Sequence, residues 1–214
     1  MKVAIIGGTG KQGAALARRF SRAGVEVIIG SRDEARARAK AHELNAHGHH
    51  PAIAGASNRE ATLQGDVVIL AVPYDGMFPI LHDIREAAHG KIVVNMASAL
   101  DPERKSRAKV PAAGSITAEV QQFLGAHSHV VAAFQNIAPE KLESAGHIDS
   151  DILVCGADKT SREHVIALVE RAALRGIDAG VLANAVAVET LTAVLITVNI
   201  RHKIKGAGIR ITGI

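Results

Sequence analysis

The residues with the clearest chemical use lie in a glycine-rich segment near the start of the chain. Gly8, Gly10 and Gly13 form the pattern G-x-G-x-x-G directly after a β-branched apolar run. In such a segment the first glycine permits a tight turn, the second lets the backbone approach a pyrophosphate, and the third lets the next helix pack closely. Because the free N–H groups of that helix then face the phosphates, the spacing predicts a dinucleotide site.

The end of the second apolar run indicates which dinucleotide binds. NAD-binding units usually place Asp or Glu there, about 20 residues beyond the glycines, to bind the ribose 2′-hydroxyl. This chain has Ser31 and Arg32 instead, and Arg36 follows one helical turn later. A hydroxyl and two guanidinium groups suit a 2′-phosphate. Asp33 and Glu34 occupy the expected helix start, where acidic residues are usual, so we expect NADP rather than NAD.

No acid–base constellation accompanies this site. A dehydrogenase acting on an alcohol, imine or hydroxyacid normally needs a proton donor or acceptor beside its substrate. Tyr74 is the only tyrosine and has no lysine four residues later, and Asn199-x-x-x-Lys203 reverses the order found in hydroxyacid dehydrogenases. We therefore expect direct hydride transfer from nicotinamide to another hydride-accepting ring, with two flat rings held face to face at about 3–3.5 Å.

The elements that must position these residues alternate along the chain. Apolar runs predict strands at 1–6, 25–29, 51–55, 66–72, 91–95, 130–134, 151–155 and 178–182. Helical patterns occupy 11–22, 33–44, 57–65, 78–88, 115–124 and 161–174. The alternation predicts an α/β, Rossmann-type, doubly wound and mostly parallel sheet. Since ligands lie beyond the carboxyl ends of such strands, the segments Pro73–Gly76 and Met96–Ser98 should border the ribose and nicotinamide.

The C-terminal segment has a different character. Residues 183–203 are hydrophobic almost all round, which is typical of a helix buried against another element or another subunit. We expect residues 1–182 to form the NADP-binding domain. Residues 183–214 are expected to form a helix and tail that close the acceptor site and contribute to a homodimer interface.

Composition narrows the class of protein. The chain has 214 residues, 48% of them hydrophobic. We expect no uninterrupted apolar run of membrane-spanning length and no signal peptide, and we therefore predict a cytoplasmic protein without a membrane partner. Its net charge is +4, but with no Trp, one Tyr and four Phe it lacks the stacking aromatics of single-strand nucleic-acid binders.

Cys155 is expected to be a buried thiol. His47, His49 and His50 are interpreted as a polar loop, since no metal pattern includes them.

Several segments together resemble the family of NADPH-dependent coenzyme F420 reductases, also called F420H2:NADP oxidoreductases. The resemblance rests on 7–10 with Gly13, on 30–32 with Arg36, on 72–74, and on the closing 208–210. It runs from Lys2 to the C-terminus. It implies reversible hydride transfer between NADP(H) and the deazaflavin coenzyme F420, without a catalytic side chain or a metal.

The resemblance also implies roles for individual residues. Thr9, Lys11 and Gln12 would bind the pyrophosphate, and Ser31, Arg32 and Arg36 would hold the 2′-phosphate. The nicotinamide side would be lined by Val72, Pro73, Tyr74, Ala97 and Ser98. The deazaflavin would lie against Gln135, Asn136, Ile137 and Pro139 and against the tail at Ala207 and Gly208, with Ile137 packed on the ring face.

Two other functions remain open. Gln135 stands where the family pattern has histidine, and this difference favours another acceptor, such as FMN, FAD, a quinone or a ferric chelate. A non-catalytic NADPH-sensing protein is also compatible with the missing acid–base residues. The ring-sized cleft expected between sheet and tail argues against that last function.

Overall fold

A computed structural model describes residues 1–46, 48, 51–144 and 146–214. In these ranges eight strands alternate with eight α-helices. The strands are β1 (Lys2–Ile6), β2 (Glu26–Ser31), β3 (Ala54–Ser57), β4 (Val67–Leu70), β5 (Ile92–Asn95), β6 (His129–Ala132), β7 (Asp151–Gly156) and β8 (Arg175–Asp178). The helices are α1 (Lys11–Arg22), α2 (Glu34–Asn45), α3 (Asn58–Gln64), α4 (Met77–Ile84), α5 (Ile116–Leu124), α6 (Pro139–Glu143), α7 (Lys159–Arg171) and α8 (Ala185–His202).

The strands form one sheet in the order β3-β2-β1-β4-β5-β6-β7-β8. The first six in the chain pair in parallel, β7 is antiparallel to β6, and β8 is parallel to β7. The predicted doubly wound, mostly parallel sheet is confirmed. Because β7 is reversed, its first residue, Asp151, lies beyond the end of β6, at the edge where ligands bind in this class of sheet.

Helices cover both faces of the sheet. On one face α1, α2, α6 and α7 bury side chains such as Leu16, Phe20 and Leu44. On the other face α3, α4 and α5 bury side chains such as Leu81 and Ile84. Both sides of the central strands are therefore dry, which explains their continuous apolar sequences.

The single cysteine is buried, as predicted. The Sγ of Cys155 lies 3.6 Å from the carbonyl oxygen of Ala179, in a small apolar cluster that includes Ala185 and Val188 of α8. Burial raises the pKa of the thiol to about 11. A thiol with so high a pKa is not a nucleophile at neutral pH.

Two strands lie elsewhere than predicted. The expected strand 51–55 is replaced by β3, because the side chain of Asn45 donates to the Ile53 carbonyl at 2.8 Å and accepts from the Ile53 N–H at 2.9 Å. Ile53 is thus paired before the strand begins. The expected strand 178–182 is replaced by β8, and the Asp178 carboxylate instead accepts from the Gly180 N–H at 2.8 Å in a turn.

One helix was missed in the sequence. The helix α6 begins at Pro139, a residue favoured in the first helical turn because its missing N–H would be unpaired there in any case. Ion pairs of Lys11 with Glu140 and of Arg18 with Glu143 join α1 to α6. The segment Pro139–Glu143, for which no helix was predicted, is therefore a short helix held against α1.

The predicted C-terminal helix is present as α8, but it is only partly buried. Its buried residues are Ala185, Val188, Glu189 and Ala193, whereas Val194 and Ile200 are 53% and 66% exposed. The helical stretch Leu182–His202 is long and apolar enough, by length and composition, to cross a membrane. Asn184, Glu189 and Asn199 interrupt this stretch, so it is not the uninterrupted apolar run that the sequence analysis excluded.

A buried carboxylate attaches α8 to the rest of the fold. Glu189 accepts hydrogen bonds from the N–H groups of Ile116 and Thr117 at 2.8 and 2.9 Å and from the Thr117 hydroxyl at 2.7 Å. It thereby satisfies the free donors at the start of α5. Burial raises the pKa of this carboxyl group, and the three hydrogen bonds oppose that shift.

Candidate active site

The glycine-rich turn joins β1 to α1. Gly7, rather than the expected Gly8, has the positive φ that the turn requires, 79°. Gly8 is needed for another reason, because a Cβ there would lie 2.6 Å from the Cβ of Ile29. A Cβ on Gly13 would lie 2.8 Å from the Cα of Gly8, so this glycine does let α1 pack closely against the turn.

The first cavity lies beyond the carboxyl ends of β1, β2 and β4 and has a volume of 340 Å³. The strand order reverses between β1 and β4, which is where doubly wound sheets bind their ligands. The cavity brings together predicted residues from distant parts of the chain, namely Thr9, Gly10, Ser31, Arg32, Arg36, Val72 and Pro73.

One end of this cavity is suited to an anion. Among the described residues, the guanidinium groups of Arg32 and Arg36 make no ion pair. Ser31 Oγ accepts from the Asp33 N–H at 3.2 Å, which leaves the hydroxyl hydrogen free to donate to a ligand. Asp33 Oδ1 accepts from the Arg36 N–H at 3.1 Å and caps α2, so the acidic residue serves the helix, as expected.

The second cavity continues the first. It has a volume of 330 Å³ and shares Gly10, Val72 and Pro73 with the first cavity. The two form one groove across the ends of the central strands. Other predicted residues in its lining are Lys11, Gln12, Ala97, Ser98 and Gln135.

A polar network connects the second cavity to α8. Thr192 donates to the Gln135 carbonyl at 3.1 Å, and its hydroxyl oxygen lies 2.8 Å from that of Ser98. Asn136 donates to the Thr192 hydroxyl at 3.2 Å, and Gln135 donates to the Asn95 carbonyl at 2.7 Å. Thr192 lines the cavity but was missed, because no local pattern singles out one threonine of an apolar helix.

Two of the residues expected at the pyrophosphate have partners within the protein. The Lys11 ammonium is paired with Glu140, which raises the lysine pKa and lowers that of the carboxyl group. Gln12 donates to the carbonyls of Phe134 and Ile137, both at 3.3 Å. Phe134 has an unusual positive φ of 70°, so Gln12 helps to hold a strained loop next to the groove.

The C-terminal tail, which follows α8, lies beside the groove, against the residues that follow β6, rather than across the groove. Ala207 N–H donates to Asn199 Oδ1 at 2.8 Å, and Asp151 N–H donates to the Ile209 carbonyl at 2.7 Å. A Cβ on Gly208 would overlap Ser150 Oγ. Of the residues expected at the deazaflavin, the structure places only Gln135 in the lining of the second cavity, and leaves out Asn136, Ile137, Pro139, Ala207 and Gly208.

Tyr74 lines a third cavity of 440 Å³, which shares Pro73, Ala97 and Ser98 with the second. The basic loop 101–109 contributes Lys105 and Lys109 to the same cavity. The Tyr74 hydroxyl donates to Glu119 Oε2 at 2.6 Å. This hydrogen bond, together with burial, raises the pKa of Tyr74 to about 12.

Because Tyr74 is the only tyrosine and the chain has no Trp, its ionisation can be followed alone by phenolate absorbance. We expect a midpoint near pH 12 rather than 10. The raised pKa stabilises the fold fully below pH 10, and this stabilisation is lost as the pH rises through about 12. In Glu119→Gln the midpoint should move toward 10. An unchanged midpoint in that variant would show that the carboxylate does not cause the shift.

No group of three or more His, Cys, Asp or Glu is placed to hold a metal ion among the described residues. His47, His49 and His50, interpreted as a polar loop, lie outside those residues.

The chain is similar to known proteins over its full length. The family model described as "NADP oxidoreductase coenzyme F420-dependent" matches residues 2–99. The chain is 39% identical over 224 residues to the F420-dependent NADP reductase of Methanocaldococcus jannaschii, covering 100% of this chain and 99% of that protein. It is 37% identical over 222 residues to the enzyme of the same name from Methanothermobacter thermautotrophicus, covering 100% and 96%.

Solved structures show the same fold. The crystal structure of a candidate F420-dependent NADP-reductase from Arthrobacter sp. FB24 matches the full length of both chains with a TM-score of 0.86 at 23% identity. An imine reductase from Streptomyces aurantiacus matches 94% of this chain and 61% of its own, with a TM-score of 0.60 at 22% identity. On the full-length identity to its curated relatives, the chain belongs to the family of F420-dependent NADP reductases.

Proposed function

We propose that this protein catalyses reversible hydride transfer between NADP(H) and coenzyme F420. The observation that carries the proposal is the continuous groove, which begins at two arginines that make no ion pair with any described residue and continues into a cavity with almost no acid–base groups. Of the residues in the lining of the second cavity, Lys11 is the only titratable one, and it is paired with Glu140. Such a site suits a reaction that needs ring positioning rather than a proton donor.

The residues of the first cavity fit the phosphate groups of NADP. Gly10 is the N-cap of α1 and brings no capping side chain, so the first N–H groups of this helix are free for a pyrophosphate beside Thr9. Lys11 and Gln12 lie at the same helix start. Ser31, Arg32 and Arg36 supply the hydroxyl and the two cations for a 2′-phosphate.

The second cavity is the proposed meeting place of the two rings. The nicotinamide and the deazaflavin supply the hydride chemistry, with one proton exchanged with solvent. Val72, Pro73, Ala97 and Ser98 line the nicotinamide side, and Tyr74 borders it from the third cavity. We place the acceptor on the side of Gln135, toward the loop that contains Asn136, Ile137 and Pro139 and toward Ala207 and Gly208 of the tail.

We further propose a cytoplasmic homodimer that uses the exposed side of α8. The half-buried helix supports this, since Val194 and Ile200 leave apolar surface uncovered in one copy. Residues 183–214 would then both complete the acceptor side, through Thr192, and join two NADP-binding domains of residues 1–182. Light scattering at micromolar concentration tests the oligomeric state, and a monomer would contradict this part of the proposal.

The activity is tested by mixing the protein anaerobically with NADP and reduced coenzyme F420 and recording the absorbance of the oxidised deazaflavin. We expect rapid oxidation with NADP and little with NAD. FMN, FAD, a quinone and a ferric chelate, each tested with NADPH, cover the other acceptors. NADPH oxidation by one of these alone would replace the deazaflavin assignment, and NADPH binding without any turnover would indicate a sensing protein.

A further inference from the structure

A buried amide that lines the first cavity has no hydrogen-bond partner among the residues that the structure describes. Asn58 is 1% exposed and contributes to the cavity lining. Its Oδ1 is buried without a hydrogen bond, and its Nδ2 makes none within the described residues. Burying a polar group without a partner costs free energy, so such groups are rare and each calls for an explanation.

The local structure holds Asn58 at the end of β2. Ser57 pairs with Ser31 in the sheet and caps α3, which places Asn58 at the first helical position. A Cβ on Gly30 would lie 3.2 Å from the Asn58 Cα and 3.0 Å from its Oδ1. Because Gly30 has no side chain, the Asn58 amide packs directly on the backbone that precedes Ser31 and Arg32.

The surroundings of the amide indicate what it binds. The same cavity contains the Ser31 hydroxyl, with its hydrogen free, and the unpaired guanidinium groups of Arg32 and Arg36. All three are donors to an anion. The Oδ1 atom is the enclosed one, packed against Gly30, whereas Nδ2 is not among the fully buried unpartnered atoms. In the orientation seen, the amide N–H group is therefore the one that can donate to the same anion.

We propose that Asn58 donates a hydrogen bond to the 2′-phosphate of NADP and contributes to the preference for NADP over NAD. This inference rests on the proposed function and adds a residue to its phosphate site. A neutral donor strengthens anion binding without adding positive charge, and a hydrogen bond to a charged group is among the stronger ones.

The test measures the binding of two nucleotide fragments of the cofactors, so it does not depend on turnover. Affinities for 2′,5′-ADP and for 5′-ADP are measured by calorimetry for the wild type, Asn58→Ala and Asn58→Asp. Asn58→Ala should weaken 2′,5′-ADP binding about tenfold, the loss expected for one charge-assisted hydrogen bond, and leave 5′-ADP within about twofold. Asn58→Asp should weaken it further by placing a carboxylate beside the phosphate. Gln64→Ala, at the exposed end of the same helix, is the matched control.

Thermal unfolding of the ligand-free protein separates binding from structure. Asn58→Ala should not lower the unfolding temperature, because it removes an unpaired buried amide. A lower unfolding temperature with the 2′,5′-ADP preference intact, or equal weakening of both ligands, would overturn the inference while leaving Arg32 in its role. If the wild type itself does not prefer 2′,5′-ADP, the proposed NADP specificity fails, and this inference fails with it.

Discussion

Replacing Arg32 by glutamate should lower kcat/KM for NADPH by about 1000-fold and change that for NADH by less than about tenfold. Arg32 lines the first cavity together with Ser31, and its guanidinium group makes no ion pair within the part of the chain that the structure describes. The wild-type side chain can donate two charge-assisted hydrogen bonds to a phosphate, each contributing about 1.5–3 kcal/mol. The glutamate removes both and repels the phosphate, whereas the 2′-hydroxyl of NADH can donate to a carboxylate.

The measurement is a pair of steady-state titrations, one with each dinucleotide, at fixed acceptor concentration. Arg38→Glu is the matched control, because it makes the same charge change on α2 at an arginine that is already paired with Glu34 and does not line the cavity. It should affect both dinucleotides little and to the same extent. Equal losses for NADPH and NADH in Arg32→Glu would show that the 2′-phosphate lies elsewhere.

Replacing Glu189 by alanine should lower the free energy of unfolding by about 3–5 kcal/mol. The carboxylate is fully buried and accepts three hydrogen bonds, from Ile116 N–H, Thr117 N–H and Thr117 Oγ. Without the carboxylate, these three donors would be left without an acceptor in the protein interior. The α8 helix also loses its polar attachment to α5.

Urea unfolding followed by far-UV circular dichroism measures this loss. Glu189→Gln keeps one acceptor oxygen and should lose less than the alanine variant. The control Glu163→Ala removes an exposed carboxylate of α7 that forms a surface ion pair with Lys159, and it should change the free energy of unfolding by about 0.5 kcal/mol or less. A Glu189→Ala protein as stable as this control would show that α8 is held by its apolar contacts alone.

Features set by neighbouring residues were predictable from the sequence. The bounds of α1, the caps at Asp33, Ser57 and Ser115, and the glycine spacing after β1 depend on contacts only a few residues apart. The parallel arrangement followed from the apolar strands and the helices between them. The clustering of Ser31, Arg32 and Arg36 in one cavity was predictable too, since these residues lie at or just after the end of one strand.

Features set by distant contacts were not predictable. The position of β3 depends on Asn45 pairing with Ile53 through its side chain, which a strand pattern does not reveal. Thr192 lines the second cavity because Glu189 and Asn136 hold α8 at that depth. The same holds for Asn58, because its contact with Gly30 and its place in the first cavity depend on the pairing of β2 with β3.

The two cavities are lined by different lengths of the chain, so they require different amounts of it to have been synthesised. All residues that line the first lie between Gly7 and Ile80, whereas the wall of the second includes Thr192. Since a ribosome synthesises the chain from its N-terminus, all residues of the first cavity emerge well before Thr192 of the second. A chain cut short before α8 would therefore contain every residue that lines the first cavity but lack Thr192 in the wall of the second, so the proposed exchange of hydride would have to wait until α8 has been synthesised.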